Sequence, residues 1–473
     1  MEAGDQTRQR PARRHAIRLP ALGFYQTIFY VYLTIALLIF TFLVPPFQKN
    51  DEPAHFLRSV SLTNLDFVCE KDSSGEPYFP MKRKYADLPD VFRVFDVAFN
   101  DLKFDTAWLR TDFSNPIYDQ PSGFYRFCNL APVGYLPSAV GVLVGKPFEN
   151  PLVSFYSGRV FGALFFVLAI VLALRIVPDR YRVIVYFYAA MPTLLHQVSG
   201  ISYDAVQLSL FPLLFAYLTK FLVEDDEIKP VHLLIFMGLL WWIINVRLLA
   251  YYPILLLFFI IPHQKITPRF SRYLLVTSAF LGVTAITTGF FDFLYLPSVA
   301  DSQSDGFEIS ASAQLRFVLN HPWDFVAACY KTMDKIGALL FREGIGIFGW
   351  VDYIFAFFPY FIVLFVAGMV AYYAAEKDVG LLRPWQILIL FAAILLTFGS
   401  LFLSLYAVWT PVGHDMVDGL QGRYFLGLLP LAIFAVSQTA AAMGKSKMVK
   451  VLTVFLILVI LRAIFRTVMS RYY

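Results

Sequence analysis

The sequence is poor in the residues that soluble proteins display on their surfaces. Charged residues make up 15% of the chain, against about 25% in soluble domains, whereas hydrophobic residues make up 58%. Three cysteines are too few for a disulfide scaffold, and seven histidines without an H-x-x-x-H or similar spacing give no recognisable metal site. The 49 phenylalanines and 27 tyrosines suit lipid-facing helices and interfacial aromatic belts. The composition predicts a polytopic membrane protein with no nucleic-acid partner.

The N-terminus lacks the features of a cleavable signal peptide. Residues 1–20 contain a cluster of arginines and lead into an apolar run of full membrane-spanning length. A signal peptide would instead have a short apolar region followed by a small-residue cleavage site. We therefore expect residues 1–20 to be a basic cytoplasmic N-terminus and residues 21–473 to form one membrane domain.

Apolar runs of roughly 16–24 residues predict about eleven membrane spans in an all-α fold. The fifth and sixth runs are short and flank Arg247, so they form either two spans or a tight hairpin that does not fully cross. The predicted spans lie near residues 22–44, 158–177, 182–198, 205–223, 231–246, 248–262, 273–296, 352–374, 384–407, 423–443 and 451–468.

The distribution of lysine and arginine orients the chain. If the basic N-terminus is cytoplasmic, basic residues concentrate in the cytoplasmic connections, whereas the short outer connections around 199–204 and 408–422 have none. One feature disagrees with the positive-inside rule: eleven spans place the C-terminus, with Arg466 and Arg471, on the outer side.

This orientation places three polar regions on the outer face: residues 45–157, 297–351 and 409–421. The first contains most of the sequence outside the spans. Its middle part, residues 66–129, is rich in Asp, Pro, Lys and aromatic residues, and we expect it to form a small periplasmic cap with little regular structure. Any chemistry is therefore expected on the outer side.

Labelling of single cysteines, or reporter fusions, tests this topology. The positive-inside pattern is the physical reason for the expected result. Labels at Lys71, Ser302 and Asp418 should react from the outside, and labels at Asp226, Gln264 and Lys447 only from the cytoplasmic side. A cytoplasmic first loop would contradict the orientation and everything that depends on it.

The segment that follows the first span concentrates ionisable groups at the membrane surface. Asp51 and Glu52 are adjacent carboxylates, and His55 and Arg58 follow within seven residues. Since neighbouring side chains face different ways, only one acid can point at an acceptor hydroxyl as its base, and the other would hold His55, Arg58 or a metal. The alternative is that both acids merely begin an interfacial helix, whose dipole stabilises them by ~0.3–1 kcal/mol. We favour a functional role, since ionisable groups at a membrane cavity are usually functional.

Other candidates lie at the outer ends of later spans. Arg423 can bind a phosphate, because a guanidinium offers two parallel hydrogen bonds and the start of a helix favours an anion. Gln421 and Tyr424 lie close to Arg423 in the sequence. The alternative to a phosphate site is that the Arg423 side chain reaches outward to lipid headgroups. Asp204 is either a second acid of the site or the N-cap of the fourth span. Arg247 is isolated between apolar runs, where a charge is costly to bury.

Four segments in the predicted outer regions form a recognisable set: residues 51–56, 129–137, 202–204 and 421–425. They resemble corresponding segments of a bacterial family of predicted membrane proteins of unknown function. That family is similar in plan to the GT-C glycosyltransferases, and the resemblance covers nearly the whole chain. It implies a GT-C-like fold in which the acid of the first outer loop, here Asp51, is the catalytic base. Residues 131–135 depart from the family, which usually has a Pro-Pro pair there.

The resemblance implies a reaction and its partners. The reaction is transfer of a sugar, with inversion of configuration favoured, at the periplasmic face of a bacterial inner membrane. The donor is a polyprenyl-phosphate-linked sugar, and the acceptor is an envelope glycan or glycolipid. Membrane lipids are further partners, no cofactor is assigned, and a requirement for a divalent metal stays open. The catalytic candidates are Asp51 and Glu52, and the substrate-binding candidates are His55, Arg58, Asp204, Arg247, Gln421, Arg423 and Tyr424.

Two alternative functions belong to other classes of protein. One is a transporter or flippase of lipid-linked sugars, and the other is a non-catalytic partner in envelope assembly. Transporters typically have inverted repeats and charged, broken helices near the middle of the membrane. We find no convincing repeat, and the acids cluster at one face, which favours an enzyme.

Two of the three cysteines, Cys69 and Cys128, fall in the first outer loop. In an oxidising compartment they are either free or joined by a disulfide, which would stabilise the fold by roughly 3–4 kcal/mol in the chain-entropy model. Cys329 would be left over.

Overall fold

The chain is built mainly from α-helices. The expected basic N-terminus, residues 1–20, lies outside the part that the structure describes, as do Asn129 and Asp226. The computed structural model describes residues 23–100, 102–125, 128, 130–223, 227–247, 249–295, 302–304, 307–351, 353–354, 360–375, 382–439 and 447–472.

Two segments next to the site are helical but are not α-helices. Helix α1 ends in a π-helix, Ile39–Leu43, and a 3-10 helix, Gly422–Leu428, precedes α19. In chain order the α-helices are α1 (Phe24–Leu38), α2 (Glu52–Thr63), α3 (Arg83–Ala86), α4 (Leu88–Val91), α5 (Val94–Phe99), α6 (Leu136–Gly145), α7 (Pro151–Ile176), α8 (Arg182–Ala189), α9 (Pro192–Val198), α10 (Tyr203–Val223), α11 (Pro230–Val246), α12 (Leu256–Phe259), α13 (His263–Ile266), α14 (Phe270–Tyr295), α15 (Ala311–Asn320), α16 (Pro322–Gly346), α17 (Tyr360–Ala374), α18 (Pro384–Val408), α19 (Leu429–Thr439) and α20 (Lys447–Tyr472).

Five described helical segments are long and apolar enough to cross a membrane: residues 24–43 and helices α7, α10, α14 and α18. Shorter apolar helices, among them α11, accompany them. The chain is thus a multi-pass, predominantly helical membrane protein, and the count of eleven spans stays a prediction.

Two of the predicted spans are not continuous helices. The run near 182–198 is divided into α8 and α9, because Met191 precedes Pro192 and adopts an extended backbone, as residues before proline prefer. In the run near 248–262, the described residues form a 3-10 helix, Tyr252–Leu255, and the four-residue α12, which are too short to cross a bilayer.

The segment between α2 and α6, for which the sequence predicts a periplasmic cap, has more regular structure than expected. Strands β1 (Glu70–Lys71), β2 (Pro77–Lys82) and β3 (Pro121–Phe124) pair in an antiparallel sheet, with Phe79 opposite Phe124. Two further hairpins are β4 (Ser302–Ser304) with β5 (Phe307–Ile309), and β6 (Ile347–Phe348) with β7 (Tyr353–Ile354).

The cap has a hydrophobic core of its own. Phe56 of α2, Phe79 of β2 and Phe92 after α4 are buried together with Phe155 of α7. Because α2 contributes to this core, the cap fixes the helix that begins immediately after Asp51.

The structure joins Cys69 to Cys128, with Cα atoms 5.6 Å apart and within the usual range for a disulfide. Alkylation of unreduced, unfolded protein is therefore expected to modify Cys329 alone, and prior reduction should expose two further thiols. Mass spectrometry of protein from its native membrane makes the measurement. Alkylated Cys69 and Cys128 without reductant would contradict the bridge.

Candidate functional site

Asp51 occupies a strained turn between the first span and α2. Its backbone has φ 58° and ψ 7°, the left-handed region that aspartate tolerates better than most residues. This conformation directs the Asp51 and Glu52 side chains to different partners, as the sequence predicts for adjacent acids. The Asp51 side chain is 41% exposed, whereas Glu52 is buried. Only Asp51 is therefore open to an incoming molecule.

Arg423 joins two carboxylates that are far apart in sequence. Its Nη2 donates to Oδ2 of Asp51 at 3.2 Å. Its Nε lies 3.0 Å from Oδ2 of Asp204, close enough for an ion pair but without hydrogen-bond alignment. Arg423 is buried, so it does not reach outward to headgroups. The N-cap of α10 is Ser202, whose Oγ accepts from the Ala205 amide, and this leaves the Asp204 carboxylate to the site.

The two residues before Arg423 are held by side chains from other elements, Gly422 through its backbone amide and Gln421 through its side chain. The Gly422 amide donates to Oε2 of Glu343 at 2.6 Å, and Asn50 Nδ2 donates to Oε1 of Gln421 at 3.0 Å. A Cβ at position 422 would overlap the carbonyl oxygen of Leu340, so this close approach requires glycine. Burial raises the pKa of the Glu343 carboxyl.

Arg247 brings a second guanidinium to the same place. Its Cζ lies 3.9 Å from the centre of the Tyr424 ring, and Arg423 lies 5.2 Å from that ring. Within the described chain, no carboxylate lies within ion-pair distance of Arg247, and the buried Nη1 atoms of Arg247 and Arg423 have no hydrogen-bond partner. Buried donors are rarely left unsatisfied, so these two indicate a site for an acceptor.

His55 lies beside this cluster as a neutral group. Its Nδ1 is 2.7 Å from the hydroxyl of Tyr135, and its ring meets Tyr203 edge-on at 5.1 Å. Burial lowers the pKa of His55 to about 3. A neutral imidazole cannot attract a phosphate by charge, so an orienting hydrogen bond fits His55 better, as the sequence indicates.

Two predicted site residues, Glu52 and Arg58, are occupied by contacts within the protein. Glu52 accepts from Nε of Arg159 at 2.8 Å and from its Nη2 at 2.6 Å, and both side chains are buried. Arg58 donates to the backbone carbonyls of Leu130, Asp66 and Phe67. Neither has a group free for a substrate or metal.

Sequence reasoning missed three residues around the site: Arg159, Tyr135 and Glu343. Arg159 is a lone arginine at the start of an apolar run, where a buried charge requires a partner, and this could have identified it. Tyr135 and Glu343 carry no comparable signal, since their roles depend on contacts with His55 and Gly422.

An open apolar groove of about 370 Å³ has Gly422, the residue before Arg423, among its lining residues. Its walls also come from Phe187 and Met191, from α16, α17 and α18, and from the 422–432 segment. Residues that line it include Met333, Phe341, Leu364, Phe398 and Phe425.

A metal centre finds no support in this geometry. Among the described residues, no group of three or more His, Cys, Asp or Glu side chains is arranged to hold an ion. Asp51 and Asp204 both face Arg423, so a cation bound between them would have to displace the guanidinium.

Comparisons with known proteins identify a family and no activity. No curated protein and no solved structure matches the chain. Residues 34–432, which include every candidate site residue, match the family model described as Predicted membrane protein (DUF2142), and the chain therefore belongs to this family of membrane proteins.

Proposed function

We propose that the chain is a GT-C-like glycosyltransferase, which transfers a sugar from a polyprenyl-phosphate donor to an envelope glycan or glycolipid. One observation carries the proposal. Two buried guanidiniums with unsatisfied N–H groups, Arg247 and Arg423, lie against the ring of Tyr424. Arg423 also pairs with the half-exposed carboxylate of Asp51, and an apolar groove reaches Gly422, the residue before it. This combination offers a separate place for a lipid chain, for its phosphate and for a hydroxyl that must lose a proton.

The donor would bind through its isoprenoid chain and its phosphate. The groove suits an isoprenoid chain, because its walls are aliphatic and aromatic side chains. The phosphate would then lie beyond Gly422, where Arg247 and Arg423 can donate to its oxygens. Hydrogen bonds between guanidinium and phosphate are charge-assisted and strong, and Arg247 gives up no ion pair to make them.

Asp51 would act as the base. The acceptor oxygen attacks the anomeric carbon of the donor sugar, and the bond from this carbon to the phosphate oxygen breaks. The electron pair leaves with the lipid phosphate, which Arg423 and Arg247 stabilise, and the hydroxyl proton passes to Asp51. A donor phosphate at Arg423 would also compete with Asp51 for the guanidinium, and this competition would release the carboxylate to accept a hydrogen bond from the acceptor hydroxyl.

The cap supports an outer location for this site. Disulfides persist in oxidising compartments such as the bacterial periplasm, and Cys69 and Cys128 belong to the loop that continues from α2. We therefore place the reaction at the periplasmic face of a bacterial inner membrane.

Substitution of Arg247 tests donor binding without breaking an ion pair. Loss of one or two charge-assisted hydrogen bonds predicts that Arg247→Ala binds the donor about 10–100-fold more weakly. The measurement is binding and transfer of radiolabelled sugar from synthetic polyprenyl-phosphate sugars by the full chain in lipid nanodiscs.

The exposed cap arginine Arg110 provides the matched control, and Arg110→Ala is expected to keep wild-type affinity. Equal affinity of Arg247→Ala and wild type would contradict the phosphate site. Failure of the wild type to bind or transfer any polyprenyl-phosphate sugar in a broad panel would contradict the proposed function.

A further inference from the structure

Helix α16, from the second outer loop, has one face fixed against the protein. Val417 donates its amide proton to Oγ1 of Thr332 at 2.8 Å, and Lys331 Nζ lies 3.1 Å from Oδ2 of Asp415. Ala328, one turn before Thr332, is also buried. The helix is therefore attached to the 409–421 loop, and its orientation about its own axis is set.

A second face of α16 is apolar but exposed. Trp323 is 80% exposed, Tyr330 72% and Val326 52%, and Leu319 at the end of α15 is 82% exposed. Along α16 this line continues with Met333. Steps of three and four residues place Trp323, Val326, Tyr330 and Met333 in one stripe along α16, and Leu319 lies just before it at the end of α15. Large exposed apolar stripes on a fixed helix indicate a partner surface.

The charged residues of α16 occupy the remaining side of the helix. They are exposed. Because an α-helix turns by about 100° per residue, their positions around the helix axis fall between the apolar stripe and the buried face. These residues are Asp324, Lys331, Asp334, Lys335 and Arg342. A helix with a buried side, an apolar exposed side and a charged side matches one that lies along a membrane surface while packing against protein.

The apolar stripe is continuous with the surface of the membrane-spanning helices. Met333 and Phe341 of α16 line the same groove as Leu364 of α17 and Ile394 of α18. Leu364 is itself exposed, as is Leu395 of the spanning helix α18. Apolar residues of α16, α17 and α18 thus share one groove, and exposed apolar residues border it on α16, α17 and α18.

We propose that the exposed apolar face of α15 and α16 lies in the headgroup region of the lipid bilayer, as a membrane-binding platform at the mouth of the groove. Trp323 and Tyr330 are the residue types that concentrate in this region, because their rings are apolar and their N–H and O–H groups stay hydrated. The platform rests on the membrane location of the chain and is independent of the proposed sugar transfer.

Spin labels at single cysteines test the platform in the full chain. Cys329 is replaced by alanine, the Cys69–Cys128 disulfide is kept, and the protein is reconstituted in vesicles of phosphatidylethanolamine and phosphatidylglycerol. The stripe variants are Trp323→Cys and Tyr330→Cys, and the matched controls on the charged side are Asp324→Cys and Lys335→Cys. The ratio of collision rates with oxygen and with an aqueous nickel chelate is expected to be severalfold higher at the stripe positions.

A second measurement uses the native side chain. Vesicles that contain lipids brominated near the headgroup should quench the fluorescence of the wild type more than that of Trp323→Phe. The platform is wrong if stripe and control labels have equal access to the nickel chelate, or if Trp323 is not quenched. Spin–spin broadening between labels on two chains, together with exclusion of both oxygen and the nickel chelate, would also contradict the platform. It would show that a second copy of this chain covers the stripe.

Discussion

Asp51→Asn is expected to lower the rate of sugar transfer by ~10²–10⁴-fold, the usual contribution of general-base catalysis. Asparagine keeps the size of the side chain and can still accept from Arg423, and it also tolerates the left-handed backbone at φ 58°. The substitution removes only basicity, so the abundance of the protein should stay normal. The measurement is sugar transferred by membranes that contain equal amounts of each variant.

Asp90→Asn is the matched control, because Asp90 is an exposed acid of the cap. It should transfer sugar at the wild-type rate. A well-expressed Asp51→Asn protein with wild-type activity would exclude Asp51 as the base. Asp204 would then be the next candidate, since Glu52 is occupied by Arg159.

Arg159→Met is expected to destabilise the fold by about 3–5 kcal/mol, the usual cost of leaving one member of a buried ion pair without its partner. Glu52 would lose both guanidinium contacts, and the carbonyls of Thr41, Val44 and Pro45 would lose their donor. Thermal unfolding in detergent and the amount of protein in the membrane measure the effect.

The double variant Glu52→Gln with Arg159→Met separates charge from packing. Because it leaves no buried charge unpaired, it should recover part of the stability lost in Arg159→Met. Equal unfolding temperatures for wild type and Arg159→Met would show that the pair does not stabilise the fold.

The sequence predicts much of the site, because its chemistry lies in short segments that follow apolar runs. Asp204, Arg247 and Arg423 are candidates because of their positions next to apolar runs, and the resemblance to GT-C enzymes points to Asp51; the structure brings all four together. Sequence does not show which partner satisfies a buried group. It therefore leaves Glu52 as a second catalytic candidate, whereas the structure pairs Glu52 with Arg159.

The fold was predictable where hydrophobicity alone decides it. Long apolar runs became α7, α10, α14 and α18 with small shifts of their ends. Hydrophobicity does not distinguish a continuous helix from two shorter ones, so the break before Pro192 was missed. The cap sheet was missed because β1 and β3 contain only two and four residues, too few for an alternating pattern.

The hydrogen bond between Asp51 and Arg423 joins residues 372 positions apart, whereas that between Glu52 and Arg159 spans 107. At a synthesis rate of about 5–20 residues per second, Arg159 emerges roughly 5–20 s after Glu52, but Arg423 follows Asp51 only after roughly 20–75 s. The ribosome thus supplies the buried pair of Glu52 and Arg159 well before it supplies the partner of Asp51. Under the proposed function, a chain truncated before residue 421 cannot bind a lipid phosphate through Arg423, so we expect no sugar transfer before Arg423 has been synthesised and inserted.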